Sequence, residues 1–385
     1  MISKRFTGLA FYRRSPAAII FVAAAALLLG ACGSGAKKPK PTELGPNASL
    51  IAVKPLWSQR LGAVDFSLQI AAQGDTVTLA SNDGTVVALD VKTGAERWRA
   101  SLATALTAGV GSDGKLAAVV TRNNELVMLD GGRELWRQKL AAQVYTAPFV
   151  AGGRVFVLAA DRSVTAFDGK GGRQLWSQQR PGEPLVLRQA GVMLAVGDTL
   201  VVGLSGRLVG MNPLNGSSRW EAPIASPRGV NEVERLVDLV GSVSRVNNVV
   251  CARSYQTAVG CVDAQRGNLL WSKPADGAQG VHGDERQVYG SEADGKVLAW
   301  ARGDGQRVWS NEALRYRDLS APLLYGRALV VGDAAGFLHF LSPADGSLLT
   351  RVSTDGQAPV GAPVQAAGVL VTITRNGTAY GFSTE

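Results

Sequence analysis

Short runs in which apolar and polar residues alternate recur along the chain in groups of four, and each group closes on a tryptophan. Residues 147–176 show the layout: Ala147-Pro148-Phe149-Val150, then Arg154-Val155-Phe156-Val157-Leu158, then Ser163-Val164-Thr165-Ala166-Phe167-Asp168, then Arg173-Gln174-Leu175-Trp176. A period of two predicts strands, and the tight turns between them predict one antiparallel four-stranded sheet per group. The groups align on Trp57, Trp98, Trp136, Trp176, Trp220, Trp271 and Trp309, with Thr350 in the next slot, at intervals of 41, 38, 40, 44, 51, 38 and 41 residues. Repetition near forty residues with strand patterning inside each unit predicts one sheet copied around an axis, a β-propeller. Both faces of the strands are largely apolar, as expected when every sheet lies between two others.

The chain ends predict how the ring closes. The last unit, from Ala362 to Phe382, stops after three strands, whereas a spare strand, Val53 to Leu61 with Trp57 in it, precedes the first complete unit. The expectation is an all-β fold: eight blades of four antiparallel strands, the eighth completed by the N-terminal strand, so that only short edges stay exposed.

Two repeated residue types read as structural. Asp90, Asp130, Asp168 and Asp263 each precede a turn containing glycine. An aspartate there accepts hydrogen bonds from turn N–H groups, while Gly94, Gly172, Gly216, Gly267, Gly305 and Gly346 supply positive φ. The tryptophans are expected as plates between blades, with the indole N–H reaching a backbone carbonyl.

Residues 1–31 stand outside the repeat. Lys4, Arg5, Arg13 and Arg14 precede an apolar run from Ala17 to Leu29, too short for a membrane span and suited to a signal peptide. Leu29-Gly30-Ala31-Cys32 resembles the lipobox of bacterial lipoproteins, which implies a mature chain beginning at a lipidated Cys32. Gly33 follows, where an Asp would resemble an inner-membrane retention signal, so the outer membrane facing the periplasm is expected. Residues 32–50 read as the lipidated cysteine and a flexible tether rich in Gly, Lys and Pro, and 51–385 as the propeller. The formal charge of +9 falls to +5 without the leader's four basic residues, and to +3 for the propeller once three lysines and Glu43 are set aside. With no basic run or interleaved aromatic cluster, nucleic acid is not an expected partner. Cys251 and Cys261 sit symmetrically about Gln256 on a predicted hairpin; a local disulfide is expected for an oxidising compartment, with two buried thiols as the other outcome.

Ala88-Leu89-Asp90-x-x-Thr93-Gly94-x-x-x-Trp98 resembles the PQQ-like repeat of quinoprotein propellers, and the resemblance covers nearly the whole mature chain. Two kinds of protein use that repeat: quinoprotein dehydrogenases, which carry PQQ and calcium, and outer-membrane assembly lipoproteins, which have the propeller without the cofactor. A dehydrogenase needs acidic and amide ligands near the axis, a base, and usually adjacent cysteines under the cofactor. Here the cysteines are ten apart, His282 and His339 are the only imidazoles and sit in blade positions, and no G-x-S-x-G, P-loop or Cys-x-x-Cys is present. No catalytic residue, metal or cofactor is therefore expected.

What the chain gains lies around the fourth blade. The interval from Trp220 to Trp271 is longer than the others, and its excess falls in Ser226 to Val240, a mixed-charge stretch with interspersed valine and leucine suited to a partner-facing loop or short helix. The preceding connection, Pro184-Leu185-Val186-Leu187-Arg188-Gln189, sets leucines beside an arginine. The resemblance to the assembly lipoproteins implies that Leu185, Leu187, Arg188 and Asp238 contact a periplasmic POTRA domain of BamA, the barrel that inserts outer-membrane proteins; a second acidic position is Val240 here. It further implies other members of that assembly complex as partners, unfolded outer-membrane proteins as candidate clients, and a non-enzymatic scaffold held on the membrane by lipid. A PQQ-dependent dehydrogenase is the alternative.

Overall fold

The computed structural model describes residues 39–182 and 185–384. The signal segment 1–31 and Cys32 lie outside them. Within 41–385 the described strands form eight four-stranded antiparallel sheets arranged as an eight-bladed propeller, with no helix among the described residues. Blade 1 spans 71–101, blade 2 106–139, blade 3 149–179, blade 4 193–223, blade 5 239–274, blade 6 281–311 and blade 7 323–353; blade 8 joins 364–384 to the strand Val53–Arg60. That strand runs antiparallel to Thr378–Thr384, from Val53 opposite Thr384 to Arg60 opposite Thr378.

The second and third strands of each blade carry the core. Thr76–Ala80 and Val369–Ile373 are buried at every position, and the apolar side chains of neighbouring blades interlock into shared clusters, as in the one joining blade 8 through blade 1 to blade 2. The first strand is short, three residues in blades 1, 3, 6, 7 and 8, and faces the axis.

Each tryptophan packs where its blade meets the next. In seven blades the pairing of third and fourth strands slips by one residue just before this position, for example between Ala88 and Leu89. The bulge twists the outer strand and aims the indole at the turn of the following blade. A Cβ on Gly94 would stand 2.7 Å from the Trp57 ring, and one on Gly267 2.4 Å from Trp220. Both glycines have positive φ, so the turn needs glycine for backbone shape and for the plate laid on it. The indole N–H of Trp57 donates to Val91 O at 2.7 Å, that of Trp136 to Gly169 O at 3.0 Å, and that of Trp271 to Arg302 O at 2.7 Å.

This contact explains the missing aromatic at Thr350. Its plate would lie on the turn between the third and fourth strands of blade 8, but there the fourth strand comes from the other end of the chain and no such turn exists. Residues 42–50 occupy the neighbourhood instead. Asn47 Oδ1 accepts from Arg351 N–H at 3.0 Å, Asn47 Nδ2 donates to Arg351 O at 3.1 Å, and Leu50 N–H donates to Leu349 O at 2.8 Å. From Thr42 on, the stretch expected to be a free tether is thus docked along blade 7, because Asn47 satisfies outer-strand backbone groups that a tether would leave to water.

The turn aspartates behave as their chemistry dictates, with one difference. Asp90 Oδ1 accepts from Lys92 and Thr93 N–H, both at 3.0 Å, and Asp168 and Asp263 accept likewise. At Asp130 the turn shortens to Gly131-Gly132, both with positive φ, and a two-glycine hairpin replaces the aspartate-capped turn. Cys251 and Cys261 oppose each other on adjacent strands of blade 5, with their sulfurs joined as a disulfide.

Candidate functional site

The two connections flanking blade 4 are built on a buried ion pair. The turn after the second strand of blade 3 carries Arg162 where the equivalent turns carry Gly84, Asn124, Gly295, Gly336 or Gly377, and like them it is left-handed, with φ 62°. An arginine in that conformation is unusual. Its side chain turns inward and is 9% exposed. Nε donates to Ser205 Oγ at 2.6 Å and Nη2 to Leu185 O at 3.2 Å, with Asp238 Oδ1 3.7 Å from the same nitrogen. Asp238 Oδ2 in turn accepts from Leu187 N–H at 2.9 Å. The pair therefore grips residues 185–187 by the carbonyl of one residue and the amide of another. Blade 5 fixes the acidic end, as Ser254 Oγ donates to Val237 O and Tyr255 N–H to Asp238 O. Burial pushes the Asp238 carboxyl above its ordinary range, against the opposing pull of Leu187 N–H and Arg162.

Asp238, expected from the resemblance to contact BamA, is placed under the neighbouring loop. It is mostly covered, and its carboxylate is spent on the neighbouring loop. Val240 is a core residue, opposite Arg253 in blade 5, so that position presents nothing to a partner. Leu185 and Leu187 are half-buried, less exposed than their sequence suggests, while Arg188 is exposed. Its guanidinium carbon stands 5.8 Å from the centre of the Tyr145 ring, a cation–π distance, and it makes no ion pair among the described residues.

The stretch Ser226 to Val240 divides in two. Val237, Leu239 and Val240 belong to the core, whereas Val230 and Val233 are 97% and 72% exposed. Between them, Asn231 Oδ1 accepts from Glu234 N–H at 2.9 Å and Glu234 Oε2 from Val230 N–H at 2.8 Å, while Arg235 N–H donates to Asn231 O. This resembles the reciprocal cap that starts a helix, but it closes a single turn. It holds the two valines outward on a self-bonded loop.

The histidines serve the fold. His282 Nδ1 accepts from Leu324 N–H at 3.1 Å, and burial lowers its pKa to about 4, so it is neutral. His339 Nε2 lies 2.9 Å from Asp333 Oδ2, which also accepts from Arg317 Nε at 2.7 Å; Asp333 and His339 are buried in blade 7, and Arg317 comes from the connection before it. Among the described residues no group of three or more His, Cys, Asp or Glu side chains is placed to hold a metal. The inner strands line a cavity of about 1020 Å³, whose one lining carboxylate among the described residues, Asp65, lies 3.4 Å from Arg122. The disulfide is buried in blade 5 and does not line it. These residues do not fit calcium-bound PQQ.

Sequence reasoning missed Arg162. The available signal was a bulky cation at a turn position where most other blades place Gly or Asn; its partner lies 76 residues on, so spacing alone does not connect them.

The profile of the family described as "Outer membrane protein assembly factor BamB" matches residues 82–311. The protein of that name from Burkholderia pseudomallei is 37% identical over 371 residues, covering 95% of this chain and 97% of its own length. The crystal structure of BamB from Moraxella catarrhalis superposes with a TM-score of 0.79 at 25% identity, covering 86% of this chain and all of that one. A quinohemoprotein alcohol dehydrogenase from Comamonas testosteroni reaches a TM-score of 0.67 at 15% identity, covering 89% of this chain and 78% of its own, and shares the fold alone.

Proposed function

Because the chain belongs to the BamB family of outer membrane protein assembly factors, and so is a component of the machinery that assembles outer-membrane proteins, we propose that it acts there as a non-enzymatic scaffold whose blade 3–4 connection docks BamA. The observation that carries the docking assignment is the grip of Arg162 and Asp238 on residues 185–187. It preorganises a short loop and leaves Leu187 half-exposed beside Arg188, which has no ion pair among the described residues. An apolar anchor next to an arginine able to pair bidentately is hot-spot chemistry, and prior ordering of the loop reduces the entropy lost on binding. The same proposal places the protein on the periplasmic face of the outer membrane, tethered through a lipidated Cys32. Lipoproteins of this kind end with more than one acyl chain, and each buried methylene contributes about 0.8 kcal/mol.

Co-purification from solubilised outer membranes tests the assembly role directly, since a large barrel protein should accompany the propeller. Dye-linked oxidation of alcohols or sugars after addition of PQQ and calcium would overturn the scaffold reading. Within the docking site, Leu187→Ala or Arg188→Ala should weaken BamA binding by roughly 2 kcal/mol with the fold intact. Unchanged affinity in a titration would remove both residues from the site.

Asp238 separates two roles by its substitutions. As an anchor of the loop it needs an acceptor for Leu187 N–H, which a carboxamide oxygen also supplies. Asp238→Asn should therefore keep most of the affinity, while Asp238→Ala should lose close to the roughly 2 kcal/mol of a hot-spot truncation. Equal losses in the two variants would mean that the partner reads the charge itself.

A further inference from the structure

The cavity on the inner strands has a charge imbalance that the docking site shares only at Arg188. Among the described residues its charged lining groups are Arg122, Arg188, Arg375 and Asp65. Arg122 and Arg375 come from equivalent turns of blades 2 and 8, Arg188 from the blade 3–4 connection, and Asp65 from the segment that follows the closing strand. The Arg122–Asp65 pair is loose, 3.4 Å apart with side chains 51% and 58% exposed, so water competes for it. Arg188 and Arg375 have no carboxylate partner among the described residues. Among the described residues, three guanidinium groups face one carboxylate, an excess of two positive charges at one recess. The wall also offers Gln69, Gln279, Ser67 and Thr107, which can both donate and accept.

We infer that this cavity binds an extended, acidic peptide segment, its carboxylates taken by the arginines and its backbone by the carboxamides and hydroxyls. An arginine without a carboxylate presents its planar fork for bidentate pairing. Facing a recess, several such groups focus the field and attract anions. The size selects a peptide over a small anion: about 1020 Å³ matches or exceeds the upper end of small-molecule sites, so a single small acid would leave most of the wall unsatisfied. The arginines come from separate elements of the lining, which suits carboxylates spaced along a chain. Arg188 belongs to both the cavity and the proposed BamA contact, whereas Arg122 and Arg375 lie outside the 185–188 loop and let the two be tested separately.

The probe is a fluorescein-labelled eight-residue peptide alternating Asp with Ser and Gly, compared with the same peptide carrying Asn for Asp, by fluorescence anisotropy on the full chain. The acidic peptide should bind, weaken as salt is raised, and bind at least about tenfold more tightly than the amide peptide, the difference of one charge-assisted contact. R122Q combined with R375Q, at two exposed positions, should weaken it by at least about tenfold while leaving BamA capture unchanged. S67W, which places an indole in the cavity, should abolish binding by obstruction; circular dichroism and thermal unfolding of both variants establish that they fold. Equal binding of acidic and amide peptides, or wild-type affinity in R122Q/R375Q, would overturn the assignment, as would citrate binding with no binding of the peptide. Peptide binding by the wild-type chain without capture of BamA would instead count against the docking assignment alone.

Discussion

Asp333→Ala should destabilise the propeller by about 3–5 kcal/mol, the usual consequence of removing one partner from a buried charged pair. Asp333 is fully buried in blade 7, and four groups converge on it. Oδ1 accepts from the N–H groups of Ala335 and Phe337, both at 3.0 Å, while Oδ2 faces Arg317 Nε and His339 Nε2. Alanine would leave a 10%-exposed guanidinium, a buried imidazole and two turn N–H groups without an acceptor. Unsatisfied groups of this kind cost far more than the net worth of the bonds they had made. The effect should appear as a lower midpoint in chemical denaturation at neutral pH.

The pH dependence has a definite sign. Burial alone would raise the Asp333 carboxyl, but hydrogen bonds from His339, Phe337 N–H and Arg317 outweigh it and hold the pKa below its ordinary value. A depressed folded-state pKa means that the unfolded chain binds the proton more readily, so stability rises with pH through that window. The contribution is complete above the unfolded value near ~4 and is lost as pH falls through the lower folded value. The gap between wild type and Asp333→Ala should thus narrow as pH falls below about 4. A gap that persists unchanged in acid would show that the ionised carboxylate is not what holds the cluster.

The blades are legible in the sequence because their determinants are local. Apolar alternation, an aspartate, a glycine turn and a tryptophan all fall within forty residues, and each copy repeats the test. The missing tryptophan at Thr350 was visible but unexplained, since its cause is the absence of a covalent turn in blade 8. The docking of 42–50 was illegible for a related reason: Asn47 meets Arg351 across 304 positions, and a Pro- and Lys-rich stretch carries no pattern that marks a backbone-mimicking amide. In the candidate site, residues 185–188 stand out by composition and Asp238 by resemblance, but the resemblance assigns a position and not an orientation. Which way Asp238 points is decided by Arg162, through a contact between blades that spacing does not encode. His339 likewise looks like an isolated imidazole until the turn bearing Asp333 folds back on it.

The second large effect concerns the eighth blade. Gly377→Ala should cost about 2–5 kcal/mol, combining about 1–2 for a left-handed residue that gains a Cβ with about 1–3 for overpacking. Gly377 has φ 81°, and a Cβ there would stand 1.7 Å from Gly62 O, far inside any allowed contact. Neither backbone can easily yield. Leu61 N–H donates to Gly377 O at 2.9 Å, and residues 61–62 leave directly from Val53–Arg60, the strand paired along Thr378–Thr384. Relief of the overlap must therefore strain the pairing of the chain's two ends. Gly368→Ala is the matched control, because Gly368 has nearly the same φ, 80°, but its Cβ would meet nothing within 4 Å. It should lose only the backbone cost, about 1–2 kcal/mol. The excess loss in Gly377→Ala measures the contact where the N-terminal strand leaves the ring. If denaturation curves of the two variants coincide, residues 61–62 do not lie against the blade 8 turn in solution, and blade 8 is completed without that contact.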